Sequence, residues 1–191
     1  GENILATIKK LKIDVLHLHW INSGFINISD LTKVEIPILW TMRDAWPFTG
    51  GCHMPMNCSK FKNQCNNCEQ LKSSSYHDLS YFIYNRKKKI ASKLNNITLV
   101  AISPFIQKEA MQSGIWNSSC VEMISNNVDI EEFPHTEKQL AREQLKLDRK
   151  KTLILIGNDS GEVWKGHEFL YKLVTNLDDE RYEIVSFGVG K

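Results

Sequence analysis

The sequence predicts an α/β protein in which helices cover sheets of parallel strands. Short apolar runs rich in Ile, Leu and Val recur along the chain, and segments of helical character separate them. The runs show little alternation between apolar and polar residues, which is typical of strands buried on both faces. This order of strands and helices is that of a doubly wound sheet.

Four strands are predicted in the first part of the chain: Ile13–His19, Ile36–Met42, Ile97–Ile102 and Val121–Ser125. Two helices are predicted between them. Leu79–Leu94 carries apolar residues near helical spacing, and Pro104–Gln112 follows Ser103 as N-cap, with proline at the first helical position.

A second series of elements follows a turn-rich segment from Asn126 to Pro134. Its predicted elements are a helix, a strand, a helix and a strand, at Thr136–Leu145, Thr152–Gly157, His167–Asn176 and Tyr182–Gly188. We therefore place a domain boundary between residues 128 and 129. Because an open α/β domain takes about 100 to 200 residues, we expect 1–128 and 129–191 to be parts of two domains and the chain to be a fragment.

The composition is that of an ordinary globular protein, with 42% hydrophobic and 24% charged residues among 191. A formal net charge of +2 does not favour nucleic acid as a partner. The sequence has neither the run of about 18 apolar residues that a spanning helix needs nor a secretory signal at its start. We expect a cytoplasmic location.

Four of the five cysteines lie in one loop, residues 52–68, with the pattern C-x5-C-x6-C-x2-C: Cys52, Cys58, Cys65 and Cys68. The loop has few apolar residues, so it needs an external constraint to be ordered. A structural zinc ion, two disulfides and unbridged thiols all remain open, and a reducing compartment favours the metal. His53 can replace one thiolate.

The segment Thr41–Cys68, TMRDAWPFTGGCHMPMNCSKFKNQCNNC, carries a family resemblance. It resembles the loop T-x-H-D-x-W-P-F-T-G-G-C-H-Y and the three further cysteines of bacterial family 4 glycosyltransferases, in particular the colanic acid and exopolysaccharide type. Weaker similarities are DVLHLHW at Asp14–Trp20, ISNNVDIEEF at Ile124–Phe133 and WKG at Trp164–Gly166.

This sequence departs from the family pattern at several positions. Arg43, Met54 and Glu69 replace the usual His, Tyr and Pro, Asn127 replaces a glycine, and Asp159 stands where many members have Arg. The family's N-terminal Gly-rich loop and its later Glu-x7-Glu motif are absent from the 191 residues. We expect this stretch of chain on its own to be inactive.

The resemblance implies parts of the two Rossmann-like domains of a GT-B fold: the end of the acceptor-side domain and the beginning of the nucleotide-sugar-binding domain. It implies sugar transfer from a nucleotide-sugar donor to a polysaccharide or lipid-linked acceptor in lipopolysaccharide or exopolysaccharide biosynthesis. The reaction is expected to retain the anomeric configuration and to need no cofactor, and peripheral contact with the inner membrane is expected.

Donor binding requires groups that offset the charge of the leaving diphosphate. Lys165 at the start of a helix, Gly166 with its close backbone approach and Asn158 are the candidates. The alternative is that Trp164–Gly166 is only a turn into a helix.

Candidate catalytic residues lie after the first two strands. Asp44 follows the second strand at the edge where open α/β sheets bind ligands, and it can orient the acceptor or take its proton. Arg43 can bind phosphate, and His19 can reach the same edge. A capping or ion-pair role for Asp44 is equally compatible with the sequence, and His17 suits a core histidine.

The acceptor-side candidates are Trp46, Phe48, Gly50 and Gly51, since flat rings and tight turns suit packing beneath a sugar. For Trp46 we favour an anchoring role in the core. The basic run from Arg86 to Lys89 can face anionic lipid or form a solvated helix face. As an alternative function, the chain is a non-enzymatic binding module built on the Cys-rich loop.

Overall fold

The computed structural model describes residues 4–116, 120–157, 163–177 and 180–187. The chain divides into two compact units, Gly1–Asn127 and Val128–Lys191. The division falls one residue before the boundary expected from the sequence. Among the described residues, no helix combines the length and the apolar character needed to cross a bilayer.

The first unit contains a four-stranded parallel sheet in the order β1-β2-β3-β4. Its strands are β1 Leu16–Leu18, β2 Ile38–Met42, β3 Ile97–Ala101 and β4 Val121–Met123, and its helices are α1 Ile4–Leu11, α2 Leu79–Ala91 and α3 Pro104–Gln112. The predicted α/β class with parallel strands is confirmed. β1 and β4 are shorter than expected, α2 ends three residues early, and α1 was not predicted.

The central strands β2 and β3 are buried on both faces, as their apolar runs predict. Trp40 on β2 pairs in register with Leu18 of β1 and Leu99 of β3. Its ring contacts those of Trp46 and Trp116, each with centroids 6.1 Å away. The indole Nε1 of Trp116 donates to the carbonyl of Pro47 at 2.9 Å, so the core holds the loop that follows β2.

Local capping signals fix the starts of α2 and α3. The Asp78 carboxylate accepts from the backbone N–H of Tyr81 at 3.1 Å, and the Ser103 hydroxyl accepts from that of Ile106 at 3.3 Å. Each cap satisfies an N–H group that has no partner within its helix. Capping thus explains why both helices begin where the sequence predicts.

The second unit repeats the strand and helix order with α4 Lys138–Gln144, β5 Thr152–Gly157, α5 His167–Val174 and β6 Tyr182–Phe187. β5 and β6 pair in parallel along their full length, from Thr152 opposite Tyr182 to Gly157 opposite Phe187. The predicted bounds of β5 are confirmed. Both helices are shorter than expected.

Candidate functional site

Side chains converge where β1, β2 and β4 end, because the carboxyl ends of parallel strands meet at one edge of a sheet. Trp20 follows β1, and Arg43 and Asp44 follow β2. The Arg43 guanidinium donates through Nη1 to the Asn126 side-chain oxygen at 2.6 Å, which joins the end of β2 to the segment after β4. This edge holds the residues that the sequence marks as catalytic candidates.

Asp44 is the centre of this group because three donors reach its carboxylate. The backbone N–H of Trp46 donates to Oδ1 at 2.8 Å. The indole Nε1 of Trp20 donates to Oδ2 at 3.1 Å, and His53 Nδ1 lies 2.6 Å from the same oxygen. The Asp44 side chain is 19% exposed, so it is both well held and partly accessible.

The loop after β2 folds back so that His53 returns to Asp44. Residues Trp46–Phe48 form a short 3-10 helix, and the Ala45 N–H donates to the carbonyl of His53 at 2.9 Å. The turn passes through Gly51, whose φ of +127° is one that side chains other than glycine rarely adopt. The pairing of His53 with Asp44 was not predicted from the sequence.

Close packing under this turn explains Gly50. A Cβ at this position would lie 2.6 Å from the carbonyl oxygen of Ser80 and 2.8 Å from Cβ of Cys65. The Gly50 N–H donates to Cys65 Sγ at 3.2 Å. Phe48 is fully buried, with its ring 5.8 Å from that of Phe61. The structure therefore places Gly50 and Phe48 against the core.

His17 and His19 lie side by side at the end of β1, with ring centroids 4.2 Å apart. His17 Nε2 lies 2.8 Å from the Thr41 hydroxyl on the neighbouring strand, a cross-strand hydrogen bond. Partial desolvation, followed by the nearby His17 and Arg43, lowers the pKa of His19 below its usual value. His19 therefore favours the neutral form near Arg43.

A cavity of about 360 Å³ opens beside this end of β1. His19 and Trp20 form part of its wall, and most of the remaining lining is apolar, including Ile4, Ile21 and Phe25. The cavity adjoins the Asp44 group through Trp20, whereas Asp44 and His53 do not line it.

Lys87, from the basic run of α2, lies beneath the loop and is only 1% exposed. Its ammonium donates to the carbonyls of Thr49, at 3.1 Å, and Trp46, and it lies 3.5 Å from the centroid of the Trp46 ring. Desolvation lowers the pKa of Lys87 to about 7, although the nearby Cys52, Cys65 and Asp44 oppose the shift. The basic run from Arg86 to Lys89 is therefore not exposed at every position.

The four cysteines of the loop form no disulfide. Cys65 is 8% exposed, and burial raises the pKa of its thiol to about 12; burial also raises the pKa of Cys52. Within the described parts of the chain, no three His, Cys, Asp or Glu side chains are arranged to hold a metal ion. Zinc at Cys52, Cys58, Cys65 and Cys68, or disulfides between them in oxidised protein, stay predictions.

The predicted donor-binding residues lie in the second unit. Val163–Lys165 forms a short 3-10 helix that leads into α5, and the Lys165 side chain is exposed. Gly166 has a φ of +76°, and its carbonyl accepts from the N–H of Phe169 at 3.0 Å. Asn158 lies outside the described residues.

Comparison with known proteins shows a distant similarity. No protein-family model matches the chain. Over 129 residues the chain is 22% identical to a protein of Escherichia coli (strain K12) described as "Putative colanic acid biosynthesis glycosyl transferase WcaC". The match covers 61% of this chain and 31% of the relative's length. The similarity supports a relationship to glycosyltransferases in general.

Two residues of the site were missed by sequence reasoning. His53 was considered only as a metal ligand, since its pairing with Asp44 depends on the path of the loop. Lys87 carried a detectable signal: Ser80, Tyr84, Lys87 and Ile90 are the buried residues of α2 and follow helical spacing. A lysine that falls at a core position of a predicted helix therefore indicates a buried charge.

Proposed function

We propose that the protein carrying this chain transfers a sugar from a nucleotide-sugar donor to a hydroxyl group of a glycan or lipid-linked acceptor. The observation that carries the proposal is the Asp44 carboxylate, held by three donors at the ligand-binding edge of a parallel sheet. The distant similarity to a glycosyltransferase supports the same reaction class.

The reaction breaks the bond between the anomeric carbon and the leaving diphosphate, so it needs cations for the phosphates and an oriented acceptor. In the first unit, Asp44 and Trp20 serve the acceptor, and the exposed Arg43 supplies a cation that the hydrogen bond to Asn126 orients. In the second unit, Lys165 is the exposed cation that we assign to the donor phosphates. Electrostatic stabilisation of this kind is often the largest catalytic contribution.

The family resemblance extends the proposal to four further properties. These are a GT-B architecture, retention of the anomeric configuration, a role in cell-surface polysaccharide biosynthesis, and action at the cytoplasmic side of the inner membrane. Gly166 and Asn158 complete the proposed donor site, and Trp46 supports the acceptor side from within the loop.

The test is release of nucleoside diphosphate by the complete protein from a panel of nucleotide sugars, with and without candidate acceptors. We expect Asp44→Asn to lower the acceptor-dependent rate by about 10²–10⁴-fold, the usual range for a group in proton transfer or its support. Asp30→Asn is the matched control, because Asp30 pairs only locally with Lys33 in the described structure. Equal rates in the two variants would count against a site at Asp44.

A second experiment tests donor binding by Lys165. Lys165→Ala is expected to raise the KM for the donor, since a charge-assisted contact with phosphate is worth about 1.5–3 kcal/mol. Lys172→Ala is its control, because Lys172 pairs with Glu168 on the surface of α5. An unchanged donor KM in Lys165→Ala would remove Lys165 from the donor site.

A further inference from the structure

The hydrogen bonds of Asp44 tie its carboxylate to three neighbouring groups. Trp46 N–H occupies Oδ1, while Trp20 Nε1 and His53 Nδ1 both reach Oδ2. Three donors stabilise the carboxylate and fix its orientation. The carboxylate is therefore arranged to hold other groups in place.

His53 is the group that Asp44 holds. A carboxylate can only accept, so the 2.6 Å contact places the imidazole proton on Nδ1 and leaves the lone pair of the neutral ring on Nε2. Among the described residues, none forms a hydrogen bond with Nε2 of His53. The His53 side chain is 48% exposed, so the ring can be reached by a ligand.

Two further contacts restrain the ring. Trp20 stacks on His53 with centroids 6.0 Å apart and an interplanar angle of 26°. The backbone of His53 accepts from Ala45 N–H at 2.9 Å, and Lys87 binds the carbonyls of Trp46 and Thr49 within the same loop. The ring of His53 is thus restrained by Asp44, by Trp20 and by the backbone of the loop.

We propose that His53, positioned by Asp44, is the base that takes the proton from the acceptor hydroxyl. The inference rests on the proposed function and deepens it by assigning the proton. The acceptor oxygen bonds to the anomeric carbon on the same face that the diphosphate leaves, in keeping with the proposed retention. The bond from that carbon to the diphosphate oxygen breaks, and its electron pair leaves with the diphosphate. The acceptor proton passes to His53 Nε2 and then to solvent.

His53 is the catalytic residue in this scheme, and Asp44 and Trp20 are positioning residues. An imidazole held by a carboxylate through Nδ1 is a recurrent arrangement for a general base, since the carboxylate fixes the tautomer and stabilises the imidazolium. The Arg43 guanidinium donates to the side-chain oxygen of Asn126, so its hydrogen bond is made outside the Asp44 and His53 pair.

Chemical rescue tests the assignment in the complete protein. We expect His53→Ala to lower the acceptor-dependent rate by about 10²–10⁴-fold with little change in the KM for the donor. Added imidazole is expected to raise the rate of this variant with its concentration, because removal of an exposed ring leaves space for a free base. His135→Ala is the control, an exposed histidine of the second unit whose loss should change nothing.

His53→Asn keeps an N–H donor near the Nδ1 position and lacks the base, so it separates chemistry from folding. It should unfold at the wild-type temperature and remain as slow as His53→Ala. Wild-type rates in either variant, or a slow His53→Ala that imidazole leaves unchanged, would overturn the role of His53. A wild type that releases no nucleoside diphosphate from any donor would instead overturn the proposed function, and the role of His53 with it.

Discussion

Replacing Lys87 by Met tests the electrostatics beneath the site. A tenfold change in an ionisation equilibrium is worth about 1.4 kcal/mol, so a fall of the Lys87 pKa from 10.5 to about 7 corresponds to about 5 kcal/mol. This free energy opposes folding while the lysine is charged. Methionine has a similar length and no charge, and it therefore removes the penalty.

The sign of the pH dependence follows from proton binding. The unfolded chain keeps the Lys87 proton up to about pH 10.5, whereas the folded protein releases it near pH 7. Between these values the unfolded state binds more protons, so wild-type stability gains up to about 1.4 kcal/mol per pH unit from this residue. Lys87→Met lacks that gain in stability. It also leaves the carbonyls of Trp46 and Thr49 without a donor, and each unsatisfied carbonyl lowers the stability by about 1–3 kcal/mol.

Urea unfolding followed by tryptophan fluorescence measures the effect, because four of the five tryptophans, Trp20, Trp40, Trp46 and Trp116, lie in the first unit. We expect Lys87→Met to lose stability relative to wild type as the pH rises from 7 to 9, by about 1–3 kcal/mol in total. Lys88→Met, at the exposed neighbouring position, should follow the wild type throughout. Parallel pH curves for wild type and Lys87→Met would refute the buried charge.

Other predictions concern single residues of the loop and its surroundings. Gly50→Ala should destabilise the first unit by about 1–3 kcal/mol in thermal unfolding, since the added Cβ meets the Ser80 carbonyl at 2.6 Å; an unchanged midpoint would contradict the packing. Trp20→Phe keeps a ring but loses the donor to Asp44, so the acceptor-dependent rate should fall less than in Asp44→Asn. In reduced, metal-free protein, Cys65 should be the last loop thiol to be alkylated in time-resolved mass spectrometry, because burial raises its pKa to about 12; early modification would contradict its burial.

Local signals made much of the fold predictable. The apolar runs of β2 and β3 identify buried strands, and Ser103 with Pro104 identifies the start of α3. The ends of elements were harder, since they depend on neighbours. β1 begins only at Leu16, whose N–H donates to the carbonyl of Pro37, so the predicted start at Ile13 was too early.

The site was predictable only in part. The position of Asp44 follows from the end of β2, a feature visible in the sequence. Its contacts with Trp20 and His53 span 24 and 9 residues, and they depend on the turn at Gly51 and on the core packing of the loop. Lys87 was hidden in a basic run, because charge alone does not reveal which member of a run faces the core.

Mass spectrometry of the acceptor after incubation with donor and the complete protein tests the central claim most directly. The account predicts that wild type adds one glycosyl unit to the acceptor for each nucleoside diphosphate released, and that Asp44→Asn adds far less in the same time. Release of nucleoside diphosphate with free sugar and an unchanged acceptor mass, or equal addition by wild type and Asp44→Asn, would contradict it.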